Sequence, residues 1–534
     1  MDGLLLNQNL FSLEEASNWA GKYLNREISE NNISYLIQYG KIKKYNTCGE
    51  TRVKLSDLKK YYESYLGKRE HNWKQKLGND LNWALSFDHL KEKDTTKHVH
   101  RLHPYKGKFI PQLVQYFIDE HLDNFKKNVY FNPGDIILDP FSGSGTTLVQ
   151  AHEMGIHAVG VDVSQFNCMI TESKMLQYDM IALEKDINKL KQSIANYKGN
   201  SNITIFEDQL LDEMAKFNNV YFPSPEYKYK VYSGQINEKQ YSLEKEKEFL
   251  EIYNKLVKKY NIELNHFNAN NFLDRWYLAD VRKEINFVFE QIKKIKDVRN
   301  KRALAVILSR TIRSCRLTTH SDLATLKIPQ VATYYCWKHK KICKPIFSIK
   351  TWFDRYAIDT LDRLKYFSKL KTGSHYAILP TDSRTVDIIE EVKKRDKKFS
   401  EILKKKKIKG IFTSPPYVGQ IDYHEQHAYA YDLFGFKRRD NQEIGPLYKG
   451  QGLEAQNSYI EGISDVLKNC RKYLAKDYNI FLVANDKYNL YPIIAEKSGM
   501  KIINKFKRPV LNRTERDKSP YSETIFHFKN KQEQ

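Results

Sequence analysis

The sequence predicts an α/β protein: a mostly parallel sheet covered by helices, interrupted by a mostly helical insert and preceded by a small unit of helices and a hairpin. Three observations lead there. Short apolar runs at 136–138, 157–161, 376–379, 408–412 and 479–484 have strand length and alternate with helix-length stretches, the rhythm of βαβ units. Between the second and third runs, amphipathic stretches at about 181–198, 240–260, 280–315 and 352–370 have helical period. The tail, 500–506 and 523–528, reads as a closing antiparallel pair. A chain of 534 residues can bury such a core and still divide, here into units at 1–68, 69–102, 103–175, 176–370 and 371–534.

Composition narrows the class. No apolar run approaches the roughly 20 residues of a membrane helix, and the start, MDGLLLNQNLFSLEEA, lacks a basic region followed by a small-residue cleavage site, so a soluble, cytoplasmic chain with no membrane partner is expected. Six scattered cysteines argue for reduced thiols over a disulfide scaffold. A net charge of +23 and pI near 9.3 favour a polyanionic partner, although Lys-rich composition throughout the chain accounts for part of the surplus.

In order, Ser12-Leu13-Glu14-Glu15 is a capping box opening a helix, and a second helix runs over about 30–38. Alternating segments at 41–45 and 51–55 make a hairpin, and Ser56-Asp57 caps a third helix. This order resembles the excisionase and MerR-like winged helix-turn-helix. The resemblance implies that Asn31, Asn32, Ser34 and Tyr35 face the major groove and that Lys41, Lys43, Lys44 and Arg52 touch phosphates. A helical packing module without DNA contact is the alternative. Residues 69–102 are polar and mixed, a linker with one amphipathic segment at 83–90, and His103-Pro104-Tyr105-Lys106-Gly107-Lys108-Phe109-Ile110-Pro111 leads into a helix at 112–122.

A sharper signal follows. The strand 136–138 ends in Asp139, then Pro140-Phe141-Ser142-Gly143-Ser144-Gly145-Thr146-Thr147 turns into a helix. Such a turn lets a ligand approach the backbone and presents helix N-terminal amides to it. The spacing is not GxGxxG, and no lysine follows Gly145, which sets aside a phosphate-binding P-loop. The next strand ends at Asp162, 23 residues after Asp139, where a carboxylate suits ribose hydroxyls; alone it would equally serve as a helix cap. A ribose-bearing ligand without a pyrophosphate signature is what S-adenosylmethionine requires.

Within the insert, the tract from Tyr221 to Tyr232 interleaves Tyr and Lys, as a base-stacking loop or as a plain exposed strand. Cys336, His339 and Cys343, with Cys315 upstream, are zinc-ligand types at an irregular spacing, which favours buried thiols and no metal. After the sheet resumes comes Thr381-Asp382-Ser383-Arg384, and then Thr413-Ser414-Pro415-Pro416-Tyr417 just past a strand. Two prolines hold this loop extended with free carbonyls, and the tyrosine ring follows. The loop suits a planar base carrying an exocyclic amine. Asp422 to His427 lacks the HExxH spacing and reads as a pocket-lining helix turn.

Asp139 to Thr147 resembles motif I, and Ser414-Pro415-Pro416-Tyr417 motif IV, of the S-adenosylmethionine-dependent DNA amino-methyltransferases, the N4-cytosine and N6-adenine methylases. The resemblance covers about 103–175 and 371–530. It implies a Rossmann-like, seven-stranded class I methyltransferase sheet and a cofactor site made by His103, Phe109, Asp139, Phe141, Gly143, Gly145, Thr146, Asp162 and Asp382. By the same analogy Ser414, Pro415, Pro416 and Tyr417 are catalytic, and Ser414 in the first position inclines toward cytosine N4 over adenine N6. Double-stranded DNA is the implied partner, the insert a candidate target-recognition region, and a cognate restriction endonuclease a possible companion. No cysteine follows a proline, which removes C5-cytosine chemistry, since that needs a Pro-Cys nucleophile. An RNA guanine-N2 methyltransferase and an inactive DNA-binding regulator are the rival readings.

Overall fold

The computed structural model describes residues 10–24, 27–38, 42–47, 50–65, 69–87, 90–105, 107–123, 125–197, 201–264, 271–320, 328–345, 348–511 and 519–531. Twelve strands occur among them: β1 Leu10–Ser12, β2 Tyr45–Thr47, β3 Glu50–Lys54, β4 Ile136–Asp139, β5 His157–Val161, β6 Tyr334–Cys336, β7 Lys341–Cys343, β8 Tyr376–Leu379, β9 Ile408–Thr413, β10 Leu474–Ala484, β11 Met500–Pro509 and β12 Ser522–Asn530.

Seven strands form one sheet in the order β11-β12-β10-β9-β4-β5-β8. From β10 to β8 the neighbours are parallel, and β12 and β11 close the far side antiparallel. The central strands are almost wholly buried, β4 at every residue and β5 and β9 at all but one, because helices cover both faces. On one face Phe117, Phe412 and Phe481 interlock, with ring centroids 4.8–6.2 Å apart. The other face packs Leu138, Ile411 and Leu482 against Ile463, Val466 and Leu467 of the helix Leu453–Arg471. The chain runs outward from β4 through β5 to β8, then returns to β9 on the opposite side of β4. That reversal makes a crevice at the carboxyl ends of β4 and β9, the place where open α/β sheets bind ligands.

The insert lies between β5 and β8. Helices Met180–Ala195, Ser201–Tyr221, Glu226–Tyr232, Glu238–Lys259, Ala279–Lys293, Val298–Ser314 and Lys350–Ser368 make up most of it. The 280–315 stretch is two helices, because Asp297 caps a new start through the amides of Arg299 and Asn300. The Tyr221 to Tyr232 tract is neither strand nor open loop: Phe222 and Tyr227 are buried, and the Tyr227 hydroxyl meets that of Tyr335 at 3.2 Å. Tertiary burial of the aromatics outweighs the alternating pattern there.

At the start, β1 pairs with β3 and β3 with β2, and helices Leu13–Leu24, Glu30–Gln38 and Leu55–Tyr65 enclose Ala16, Ala20, Ile33, Val53 and Leu58. The Ser12 capping box is formed: Ser12 accepts from the Glu15 amide at 3.1 Å, and Glu15 accepts from the Ser12 amide at 2.8 Å. Residues 69–102, expected as a linker, carry the helix Arg69–Leu77 and dock on the sheet edge. There Asn82 donates its amide to the Lys507 carbonyl at 2.7 Å, and Trp73, Leu81 and Leu511 cluster. Among the described residues, no helix is long and apolar enough to cross a membrane.

Candidate active site

Two cavities open at the carboxyl edge of the sheet. The larger by total empty volume, about 850 Å³ including space open to solvent, is lined by Phe109, Asp139, Phe141, Gly143, Thr146, Asp162, Asp382, Ser414 and Pro416 among others. Residues from 109 to 416 thus converge where β4, β5 and β9 end. His103 and Gly145 stand behind this wall. Buried His103 contacts the Ser309 hydroxyl at 3.1 Å and the Tyr429 hydroxyl at 3.2 Å, and Gly145 caps the helix Thr146–Glu153.

The glycine turn is held from below. Gly143 and Gly145 have φ of +47° and +77°, and a Cβ on Gly145 would come within 2.3 Å of Thr171 Cγ2. Thr171 donates to the Gly143 carbonyl at 3.1 Å, and buried Lys174 donates to the Ser144 carbonyl. Both come from the helix Gln165–Met175, which starts under the Ser164 cap. Burial holds the Lys174 ammonium well below its usual pKa.

Asp162 spans the same turn. Its carboxylate accepts from the amides of Gly143 and Ser164, each at 2.8 Å, and from the Asn167 side chain at 3.1 Å. Asp139 accepts from Thr413 Oγ1 at 2.6 Å and from the Phe141 amide at 3.2 Å. Burial pushes both carboxyls up to about 6, against the pull of those hydrogen bonds, and the Asp162 charge raises Asp139 further. Asp382 is gripped by Arg384, with both carboxylate oxygens 3.0 Å from Nε. Four buried polar atoms around the cavity, Ser142 Oγ, Ser144 Oγ, Asn167 Oδ1 and Gln442 Oε1, have no hydrogen-bond partner. Buried polar atoms are rarely left so, and these four suit a ligand rich in donors and acceptors.

The turn at Asp422 to His427 does line the cavity, through Tyr423 and His424. His424 is fixed by Glu443, which accepts from its amide at 2.9 Å and bonds its ring. Tyr105 stacks between Tyr423 and His427, at 6.0 and 5.8 Å.

The loop after β9 contributes to both cavities. Ser414 and Pro416 face the larger one, Pro415 is buried, and Tyr417 lines the second, of about 480 Å³, with Tyr459, Asn485, Asp486, Tyr488 and Tyr491. The Tyr417 hydroxyl donates to Glu523 at 2.9 Å, and burial beside that carboxylate raises its pKa well above the usual range. Sequence reasoning did not single out Asn167, Lys174 or Glu443, whose roles rest on contacts across the chain that no local pattern announces.

The residues expected to meet DNA belong to the first unit. Asn31 and Asn32 are exposed, and Asn32 Oδ1 is already bonded to the Ser29 amide and hydroxyl at 2.9 and 2.7 Å, as a cap. Lys43 is exposed; Arg52 is partly buried and paired with Glu50 at 3.2 Å. The Tyr35 side chain and Lys41 lie outside the described residues.

Comparison with known proteins agrees with this geometry. Residues 20–173 match a family model described as DNA methylase. The chain is 48% identical over 526 residues to the type II methyltransferase M.MjaII of Methanocaldococcus jannaschii, covering 98% of this chain and 97% of that protein. The chain belongs to the N6/N4 DNA methylase family. Shorter similarities are 30% over 154 residues to the type II methyltransferase M.MvaI of Kocuria varians, covering 27% of this chain and 32% of that one, and 34% over 89 residues to the type II methyltransferase M.BsoBI of Geobacillus stearothermophilus, covering 16% of each. The family's methyltransferase activity on DNA is consistent with a cavity at the sheet's switch point beside the Ser414–Tyr417 loop.

Proposed function

We propose that the chain moves the methyl group of S-adenosylmethionine onto an exocyclic amine of a base flipped out of duplex DNA, with cytosine N4 as the acceptor. One observation carries this reading: the loop 414–417 lines two adjacent cavities, the larger through Ser414 and Pro416 and the other through Tyr417. A donor and an acceptor held on either side of one short loop can be aligned for direct transfer.

The unpartnered polar atoms and the glycine cradle fit the cofactor. Asp162 would take its ribose hydroxyls and Asp382 its adenine amine, while Phe141, Gly143 and Thr146 line its path and the segment around Phe109 covers its methionine end. His103 supports that segment from behind through Ser309 and Tyr429. When bound, the sulfonium supplies an electrophilic methyl group.

The chain's own residues supply the rest. An exocyclic amine is a poor nucleophile because its lone pair is delocalised into the ring. Ser414 Oγ and the Pro415 carbonyl accept its two N–H groups, favour the pyramidal form and direct the lone pair across the loop. Pro416 fixes the backbone, and Tyr417 stacks on the flipped base. Ser414 at the first position of the motif inclines the choice to cytosine N4, with adenine N6 as the alternative.

Binding to duplex DNA is assigned to the unit at 1–68, read as a winged helix-turn-helix presenting Asn31, Tyr35 and Lys43, and to the insert at 176–370 as the target-recognition region. The similarity to type II methyltransferases supports a cytoplasmic restriction-modification setting with a cognate endonuclease as part of the same proposal. Transfer of tritium from labelled S-adenosylmethionine to duplex DNA and to bulk tRNA tests the reading. Label in duplex DNA is expected; label confined to tRNA would refute it.

A further inference from the structure

The insert brings together four side chains that the active site does not use. His320, Cys336, His339 and Cys343 each offer a ligand atom, all four within 4.8 Å of one another. The pair distances are specific: Cys336 Sγ to His320 Nδ1 is 3.8 Å, and Cys343 Sγ to His339 Nδ1 is 3.6 Å. Zinc bonds of about 2.3 Å to sulfur and about 2.0 Å to nitrogen, arranged tetrahedrally, place sulfur and nitrogen about 3.5 Å apart. Cys315, the expected fourth ligand, is not in the group; its thiol points to the Ser348 carbonyl at 3.8 Å.

The local backbone has the form of a metal knuckle. β6 and β7 are only three residues each, too short to hold a hairpin alone. The connection Trp337 to Lys340 keeps Lys340 at φ +57°, a left-handed conformation that costs a non-glycine residue on the order of 1 kcal/mol and needs external support. The hairpin is fastened to the insert through Asn218, which pairs with both backbone groups of Ile342 at 2.9 and 3.0 Å, and through Glu238, which accepts from Tyr335 at 2.9 Å. Cys336 and Cys343 are buried yet unbridged.

We propose that His320, Cys336, His339 and Cys343 form a structural zinc site that pins the β6–β7 hairpin and residue 320 onto the helical insert. Four protein ligands close the coordination sphere and none of them lines the active-site cavity, which marks a structural rather than a catalytic ion. Binding would take His320 Nδ1 from its 2.8 Å contact with the Tyr334 hydroxyl, which keeps the His320 amide at 2.9 Å. Both thiols release their protons to solvent as the metal binds.

The test is the metal content of the full-length protein, expressed with zinc and dialysed against a weak chelator. About one zinc per chain is expected, with a loss of roughly tenfold or more in Cys336→Ser and Cys343→Ser and no loss in Cys315→Ser. If the serine variants fail to fold, cobalt(II) exchanged into the unaltered protein decides. Strong visible bands with thiolate charge transfer, the mark of tetrahedral sulfur and nitrogen ligation, support the site. Substoichiometric metal, an octahedral cobalt spectrum, or a Cys336–Cys343 disulfide in mass spectrometry would overturn it. None of these readouts depends on methyl transfer.

Discussion

Thr413 Oγ1 donates a 2.6 Å hydrogen bond to the buried carboxylate of Asp139, joining the last residue of β9 to the last residue of β4 across 274 positions of sequence. The bond ties the glycine turn that follows one strand to the proline loop that follows the other. Removing the hydroxyl while keeping the shape, in Thr413→Val, leaves Asp139 short of a donor in a buried site. We expect a loss of about 2 kcal/mol in denaturant unfolding and a fall in kcat/KM of roughly tenfold or more.

Asp139 and Asp162 set a pH dependence. Burial raises each folded-state pKa from 3.8 to about 6, so ionisation opposes folding: the unliganded protein loses stability as pH rises through this window and gains it on acidification. A ligand that donates hydroxyls to a carboxylate selects the ionised form and reverses the preference. Calorimetric affinity for S-adenosylmethionine should therefore be full above about pH 6 and fall about tenfold per participating carboxylate one pH unit below. In Asp162→Asn the affinity should be weak and the Asp162 share of that pH dependence absent.

Tyr417 separates ring from hydroxyl. Tyr417→Phe keeps the stacking surface and loses the hydroxyl's contacts to Glu523 and Ser414, so transfer should fall by no more than about tenfold. Tyr417→Ala should lower transfer by at least about a hundredfold while calorimetric cofactor affinity is unchanged. Equal activity in both variants would remove the ring from the mechanism.

Lys43 is an exposed cation beside the hairpin, its ammonium 5.4 Å from the Tyr45 ring centroid, whereas Arg52 is engaged by Glu50. Lys43→Ala should reduce the salt slope of duplex binding by about 1, uniformly across sequences, and Arg52→Ala by less. Fluorescence anisotropy over a salt series reads both.

The sheet was legible because each central strand is a short apolar run ending in a turn or an acid, as at Asp139, Asp162 and Thr413, and buried parallel strands need no alternation to be recognised. The glycine turn and the Ser-Pro-Pro-Tyr loop were legible because backbone freedom and backbone restraint are written in residue type. What lay beyond sequence was partnership at a distance. Lys174 has no local signal for its burial under the Ser144 carbonyl, and His320 has no sequence spacing that links it to Cys336. Residues 69–102 read as linker because their sparse apolar residues find cover only in distant parts of the chain, Trp73 and Leu81 at the sheet edge near Lys507 and Leu85, Val99 and Leu102 in the main core.

The most direct test of the account is nucleoside analysis of duplex DNA methylated in vitro, digested and resolved by chromatography with mass detection. N4-methyldeoxycytidine is the expected product. N6-methyldeoxyadenosine would keep the amine chemistry of the loop and move the acceptor, whereas 5-methyldeoxycytidine, or no modified nucleoside at all, would contradict the assignment of Ser414 and Pro415 as acceptors for an exocyclic amine.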